Sequence, residues 1–235
     1  MELISFEPAM CRRLVEERGF AVIPGIFEED QVTLLAENLA TANMRRSRAG
    51  VRHALGHAAV ASLANDPRLL KIARSIFGAS ACPFRATMFE KTTDANWLVV
   101  WHQDTALPLR RREETPGWGP WSVKEGVIYA HAPASALSQV LALRVHLDDS
   151  TSQNGPLRVL PATHTLGVLS DDAIHQLAVD VVPVECCVPR GGVVAMKPLV
   201  VHSSSKSQSG SAGRVLHIEY AANTRIAGDL ELAVA

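Results

Sequence analysis

Cysteine is scarce in this chain, and its pattern is not that of a scaffold. Cys11, Cys82, Cys186 and Cys187 are the only four in 235 residues. No C-x-x-C pair is present, and bridging adjacent Cys186 and Cys187 would close a strained ring. Such spacing does not describe a disulfide framework. It points to reduced thiols in a cytoplasmic protein. Long apolar runs are missing too. The best stretches, Val193–Met196 and Leu199–Val201, fall far short of a membrane span. The opening residues lack a basic segment followed by an apolar one, so no secretory signal is expected. Charge of one sign is also lacking: 23 Lys+Arg face 24 Asp+Glu, a formal charge of −1. Neither nucleic acid nor an anionic membrane is therefore expected as a partner.

No internal repeat interrupts the sequence, and no linker of the kind that separates domains. Residues 1–235 are expected to form a single domain. Apolar residues make up 47% and charged residues 20%, ordinary globular usage that excludes a disordered chain or a collagen-like fibre. What stands out is histidine, nine in all. Histidine is the commonest protein metal ligand, so the question is whether some of the nine converge.

The first 80 residues read as a mostly helical support. Phe6–Arg18 has apolar Met10, Leu14 and Val15 with Gly19 as a stop, and Phe20–Pro24 is a short strand. Glu28–Met44 carries Val32, Leu35 and Leu39 at helical spacing, and Asp66-Pro67 opens a helix ending at Gly78. From Cys82 to Ala222 the pattern changes to short strands. They are predicted at Phe84–Glu90, Trp97–Trp101, Val140–Leu147, Leu157–Leu160, Val179–Cys187, Val193–Met196, Leu199–His202 and Arg214–Ala222. Turn residues separate them at Asn154-Gly155-Pro156, Pro189–Gly192 and Ser207–Gly213. The fold class is therefore mainly β with peripheral helices, a sandwich or barrel. Residues 106–138 do not fit the strand pattern. Arg110-Arg111-Arg112, Trp118 and Trp121 mixed with glycine suggest either a flap over a site or a surface insertion with its tryptophans in the core.

Trp101-His102-Gln103-Asp104 ends one predicted strand. Residues i and i+2 of a strand share a face, so His102 and Asp104 point together and Gln103 points away. His202 ends another apolar strand 100 residues later. Two histidines and a carboxylate on strand ends of a barrel match the facial triad of non-haem Fe(II), which leaves positions open on one side of the metal. His53 and His57 have the i, i+4 spacing of helix ligands, but Gly50 and Gly56 weaken that helix. His146 and His217 lie in strands and can face the interior; His131, His164 and His175 read as surface or hydrogen-bonded residues.

Several stretches together resemble the phytanoyl-CoA dioxygenase family of Fe(II)/2-oxoglutarate-dependent oxygenases, a bacterial subgroup of it. They are Met88-Phe-Glu-Lys91 with Asn96-Trp97 and Trp101–Asp104; Gly117–Lys124; Arg144-Val-His-Leu-Asp-Asp149 leading to Asn154-Gly-Pro-Leu-Arg-Val-Leu-Pro161 and His164; Val201–Lys206; and Arg214–Tyr220. They run in the family's order from about Phe84 to Ala222. The resemblance implies a double-stranded β-helix (jelly-roll, cupin-like) core over residues 82–222, with 106–138 as a lid. It implies Fe(II) held by His102, Asp104 and His202, with 2-oxoglutarate and O₂ as co-substrates. The far carboxylate of 2-oxoglutarate then needs a cation, for which arginine's planar fork is suited. Arg214 ranks first and Arg144 second. The family usually places this arginine one residue nearer the second histidine, at the position of Gly213, and a one-residue shift reverses a strand side chain's face unless the loop absorbs it. Thr87 and Ser204 also match positions that contact 2-oxoglutarate.

The activity so implied is oxidation of a substrate C–H bond, with release of succinate and CO₂ and no protein nucleophile. Related halogenases replace the carboxylate ligand with Gly or Ala, so Asp104 favours hydroxylation or another oxidation. Lys91, Arg110, Arg111, Trp118, Trp121, His146 and His217 are the candidate contacts to a small-molecule substrate. Asp148-Asp149 reads as a turn cap. The competing classes are a non-catalytic jelly-roll binding protein and a Zn²⁺- or Mn²⁺-dependent isomerase or hydrolase using the same ligands.

Overall fold

The computed structural model describes residues 7–42, 50–91, 96–208, 213–226 and 230–235. The chain opens with α1 (Pro8–Arg18), β1 (Phe20–Ile23), α2 (Glu29–Thr41), β2 (Gly50–Val51), α3 (Ala58–Ala64) and α4 (Pro67–Phe77). Next come β3 (Cys82–Lys91), β4 (Val99–His102), β5 (Ala106–Leu109), β6 (Trp121–Lys124), β7 (Val127–His131) and α5 (Ala134–Leu137). The rest is β8 (Val140–His146), β9 (Leu157–Val159), α6 (Asp171–Asp180), β10 (Val184–Cys186), β11 (Val193–Met196), β12 (His202–Ser204), β13 (Gly213–Ala221) and a short pair, β14 (Arg225–Ile226) and β15 (Leu230–Glu231).

Local chemistry sets the helix ends. Pro67 occupies the first turn of α4, and the Asp66 carboxylate accepts the Arg68 N–H at 2.8 Å. Gly19 ends α1 with φ 83°, its N–H donating to Val15 O. Leu69, Ile72 and Ala73 of α4 lie on one stripe and pack with Cys11 and Val15 of α1 against the sheet.

Two antiparallel sheets make the core. One has the order β1-β11-β8-β13-β3-β2, the other β10-β9-β12-β4. Their eight central strands form a double-stranded β-helix, the jelly-roll expected. Alternation divides the long strands. On β13, Leu216, Ile218 and Tyr220 face the helices and join the main core, while Val215 and His217 line the interior between the sheets. Likewise Ala86 and Met88 of β3 pack outward, while Arg85, Thr87, Phe89 and Lys91 turn inward. Each large apolar side chain buried under the helices contributes about 1.5–3 kcal/mol.

The structure departs from the predicted elements at several places, the short strands β2, β14 and β15 among them. Val179–Cys187 is not one strand: α6 runs to Asp180, and only Val184–Cys186 pairs, with β9. Ser170 caps α6, Asp171 and Asp172 favour its first turn, and Ile174, Leu177 and Ala178 make a helical stripe. Leu199–Val201 is buried but turned, with Val200 N donating to Lys197 O, so pairing begins only at His202. Ala-rich α3 was not predicted at all. Finally, residues 106–138 are an ordered three-stranded sheet, β5-β7-β6, followed by α5. Glu125 and Gly126, both with positive φ, join β6 to β7 as a two-residue hairpin. Phe6, the predicted helix end at 43–44, and residues 209–212 of the turn before β13 lie outside the described residues. Among the described residues, no helix is long and apolar enough to cross a membrane. Cys11 and Cys186 are buried, burial pushing their thiols up to about 11 and about 12.

Candidate active site

β4 and β12 lie side by side with His102 directly opposite His202. Their rings are 4.2 Å apart between centroids. Asp104 follows β4 and is held by its own N–H, which donates to Pro198 O. Gln103 points away, as alternation requires, and anchors the segment from behind: its side chain bonds Leu199 O, Gly167 O and Leu169 N. The Asp104 carboxylate thus meets both imidazoles, 3.7 Å from His102 Nε2 and 3.5 Å from His202 Nε2. All three ligand atoms lie within 4.8 Å of one another, and no other such cluster occurs among the described residues.

The donor set fits a divalent metal. His102 Nδ1 lies 2.8 Å from Val100 O, and His202 Nδ1 lies 2.9 Å from Val200 O. A proton on each Nδ1 satisfies the carbonyl and leaves the Nε2 lone pair aimed at the cluster, the arrangement that orients metal-binding histidines. Two cis bonds of about 2.1 Å put ligand atoms ~3 Å apart, so the observed gaps need little closure. Burial drives His202 down to about 4, which favours the neutral ligand form. Burial opposes charge on Asp104, yet His202 and His102 beside it hold its carboxyl well below the usual range.

The triad opens into a cavity of about 300 Å³ between the two sheets. Of the residues expected at the site, Thr87, Lys91, Arg144, His146, Ser204, Arg214 and His217 line it. Arg144, on β8, donates to His217 Nδ1 at 3.1 Å and lies over the Phe89 ring. Arg214 lines the rim but is engaged: its guanidinium bonds both oxygens of Asp148, at 2.9 and 2.8 Å. Asp148 is therefore an ion-pair partner, not merely a turn cap. Strand parity explains the arrangement, since Arg214 shares the outward parity of Leu216 and Ile218, and Gly213 takes the inward position.

Arg110, Arg111, Trp118 and Trp121 are not brought to the cavity. Arg110 pairs with Glu231 and Arg111 with Glu113 on the surface. Trp118 sits in a second core with Leu107, Leu109 and Leu137, and Trp121 packs against it. The segment suggested as a lid is thus a wall, contributing only Lys124 and Tyr129 to the cavity. Arg52, Arg85, Trp97, Lys124 and Tyr129 also line it and were missed in the sequence. They sit in separate segments with no motif to join them.

Two interior histidines set an acid limit. His146 is 2% exposed with neither ring nitrogen partnered, and His217 is 5% exposed. Burial, and then Arg144, push both down to about 3 from an ordinary value of 6.5. The unfolded chain takes up these two protons below pH 6.5 and the native state does not. Stability from the neutral rings is complete above that pH and is lost as pH falls from 6.5 towards 3. Each contributes a slope approaching about 1.4 kcal/mol per pH unit. Denaturant unfolding of the metal-free protein at pH 7.5, 6.5, 5.5 and 5.0 is expected to show a progressive fall below 6.5. A flat profile there contradicts neutral burial.

Comparison with known proteins follows the same lines. The phytanoyl-CoA dioxygenase family matches residues 15–215. The L-proline trans-4-hydroxylase of Streptomyces griseoviridis is 27% identical over 68% of this chain and 62% of that enzyme, so the chain spans somewhat under two thirds of the curated relative it matches. Among solved structures, AviO1 from Streptomyces viridochromogenes Tue57 is 20% identical, with a TM-score of 0.67, covering 92% of this chain and 96% of that one. EctD from S. alaskensis, solved with 2-oxoglutarate and 5-hydroxyectoine, is 17% identical at a TM-score of 0.71, covering 96% and 81%. HygX from Streptomyces hygroscopicus, solved with nickel and 2-oxoglutarate, is 16% identical at 0.65, covering 90% and 86%.

Proposed function

Because the chain belongs to the phytanoyl-CoA dioxygenase family, we propose that it is an Fe(II)- and 2-oxoglutarate-dependent dioxygenase. It hydroxylates, or otherwise oxidises, a C–H bond of a small metabolite or natural-product intermediate and releases succinate and CO₂. The observation that carries this reading is the convergence of His102, Asp104 and His202 on one end of a cavity rich in unmatched cations.

His102 and His202 hold the metal through Nε2, fixed by Val100 O and Val200 O behind them, and Asp104 supplies the anionic ligand. Bound there, Fe(II) with a chelating 2-oxo acid supplies the O₂-dependent chemistry. The protein's part is to position substrate and to exclude water. Phe89, Trp97, Val99 and Leu157 give the cavity apolar walls, and Thr87 and Ser204 offer hydroxyls to the co-substrate. About 300 Å³ suits a dicarboxylate beside a small metabolite.

Charge narrows the substrate. Arg85 is paired with Glu219 and Arg214 with Asp148, which leaves Arg52, Lys91, Lys124 and Arg144 without an acidic partner among the described residues. Fe(II), Asp104 and a dicarboxylate together carry one net negative charge, which one of these cations matches. The others, with Arg52 and Lys124 outermost, suit a substrate that bears a carboxylate or another acidic group. L-Proline, the substrate in the relative's name, is such a molecule.

The test is direct. Anaerobically purified protein is mixed with Fe(II) and 2-oxoglutarate, O₂ is admitted, and succinate is measured with and without a panel of amino and hydroxy acids. Succinate above the metal-free control is expected, rising with an acidic substrate. No succinate with any member of the panel overturns the oxygenase reading.

A further inference from the structure

Lys91 ends β3 and lines the cavity, and only 8% of it is exposed. Its Nζ donates to Ser204 Oγ and Ser205 O, each at 2.5 Å, and more distantly to Gly155 O at 3.4 Å. All three acceptors are neutral. No carboxylate among the described residues pairs with this amino group, although Lys91 is buried and an uncompensated buried charge is costly. Gly155 makes the corner possible. It has φ +69°, and a Cβ there would fall 2.3 Å from Ser205 O, so only glycine lets the two loops meet behind the lysine.

The position of this corner relative to the triad is informative. Ser204 lies two residues beyond His202 on the same face of β12, about 7 Å along the strand. That matches the reach of an extended five-carbon dicarboxylate whose first carboxylate and oxo group sit at the His202 end. Position 213, across the ladder from Lys91, carries no side chain; a Cβ there would meet only Lys91 Cβ, at 3.8 Å. The two arginines have partners of their own. Arg214 is bound to Asp148 on the outward parity of β13. Arg144 is engaged with His217 Nδ1 and the Phe89 ring, and its charge acts on Lys91 as well as on His102 and His202.

Resting on the oxygenase reading above, we propose that Lys91, with the Ser204 hydroxyl, receives the distal carboxylate of 2-oxoglutarate, and that Arg214 does not. The carboxylate replaces Gly155 O as acceptor, both for the long contact from Nζ and for the bond that the Ser204 hydroxyl now donates to Gly155 O at 2.9 Å, so it accepts one hydrogen bond from each. The salt link gives the buried ammonium the counter-charge it lacks, and Lys91 selects a dicarboxylic 2-oxo acid over a shorter one.

Calorimetric titration of the anaerobic Fe(II) protein tests this without turnover. Wild type, Lys91→Met and Arg214→Met are each titrated with 2-oxoglutarate and with 2-oxobutyrate, which chelates identically but has no distal carboxylate. Lys91→Met is expected to lose about 100-fold in affinity for 2-oxoglutarate and to bind 2-oxobutyrate as wild type does, which also shows that its site is folded. Arg214→Met is expected to keep the wild-type affinity for both. Lys91→Met binding 2-oxoglutarate as tightly as wild type overturns the assignment, as does a selective loss of 2-oxoglutarate in Arg214→Met; the oxygenase reading survives either result. Wild type binding neither acid overturns the oxygenase reading itself, and the assignment with it.

Discussion

Asp104→Ala is expected to abolish tight Fe(II) binding and, with it, succinate formation. Asp104 is the only carboxylate in the cluster, and both imidazoles aim their Nε2 atoms at its oxygens. Removing it leaves two neutral nitrogens, one short of a facial triad, in a cavity already crowded with Arg144 and Lys91. Outer partners of metal ligands alone are worth about 10–100-fold in affinity, so loss of a ligand and its charge costs more, on the order of 10³-fold. His102→Ala is expected to act alike. His175→Ala, on the exposed face of α6, is expected to change nothing. Anaerobic loading with Fe(II), gel filtration and metal analysis read the outcome. Stoichiometric iron in Asp104→Ala would remove the triad from the mechanism.

That so much of this centre is legible in the sequence follows from strand geometry. Period-two alternation put His102 and Asp104 on one face and sent Gln103 behind them, where it anchors the segment. The ladder then set His202 opposite His102, which spacing alone could not specify. The same alternation governs Arg214. Its distance from His202 matched a motif within one residue, and in a strand one residue is the difference between the cavity and the outer face. The cavity walls were not legible for a different reason. Arg52, Lys124 and Tyr129 come from separate segments that the fold alone brings together. The ordered sheet of residues 106–138 was hidden because Glu125-Gly126 is a weak hairpin signal beside so many charged residues. The tryptophans there fill a second core, for which their size suits them, rather than the site.

Glu219→Leu is expected to give the largest loss of stability in the molecule. Glu219 is 1% exposed and stands directly across β13 and β3 from Arg85, whose Nε donates to its carboxylate. Burial raises the Glu219 carboxyl and opposes charge on Arg85, but the attraction between them holds the guanidinium charged. Arg85 Nη1 also donates to Ala106 O at 2.9 Å, and its guanidinium lies over the Tyr129 ring. The pair therefore ties the main sheet to the β5-β7-β6 wall. Removing Glu219 strands a buried guanidinium with one carbonyl for a partner, a loss of about 3–5 kcal/mol. For a chain of this length that lowers Tm by roughly 10 °C. Replacing both partners together, Arg85→Met with Glu219→Leu, removes the orphaned charge and is expected to recover most of the loss, because apolar replacement of a buried pair is often near neutral. Thermal and denaturant unfolding of the two single variants and the double variant make a closed cycle. A double variant as unstable as Glu219→Leu alone would mean that volume, not charge, sets the cost at this position. Recovery in the double variant would show that the damage lies in the unpaired arginine, and that the wall can dock on the sheet through apolar contact alone.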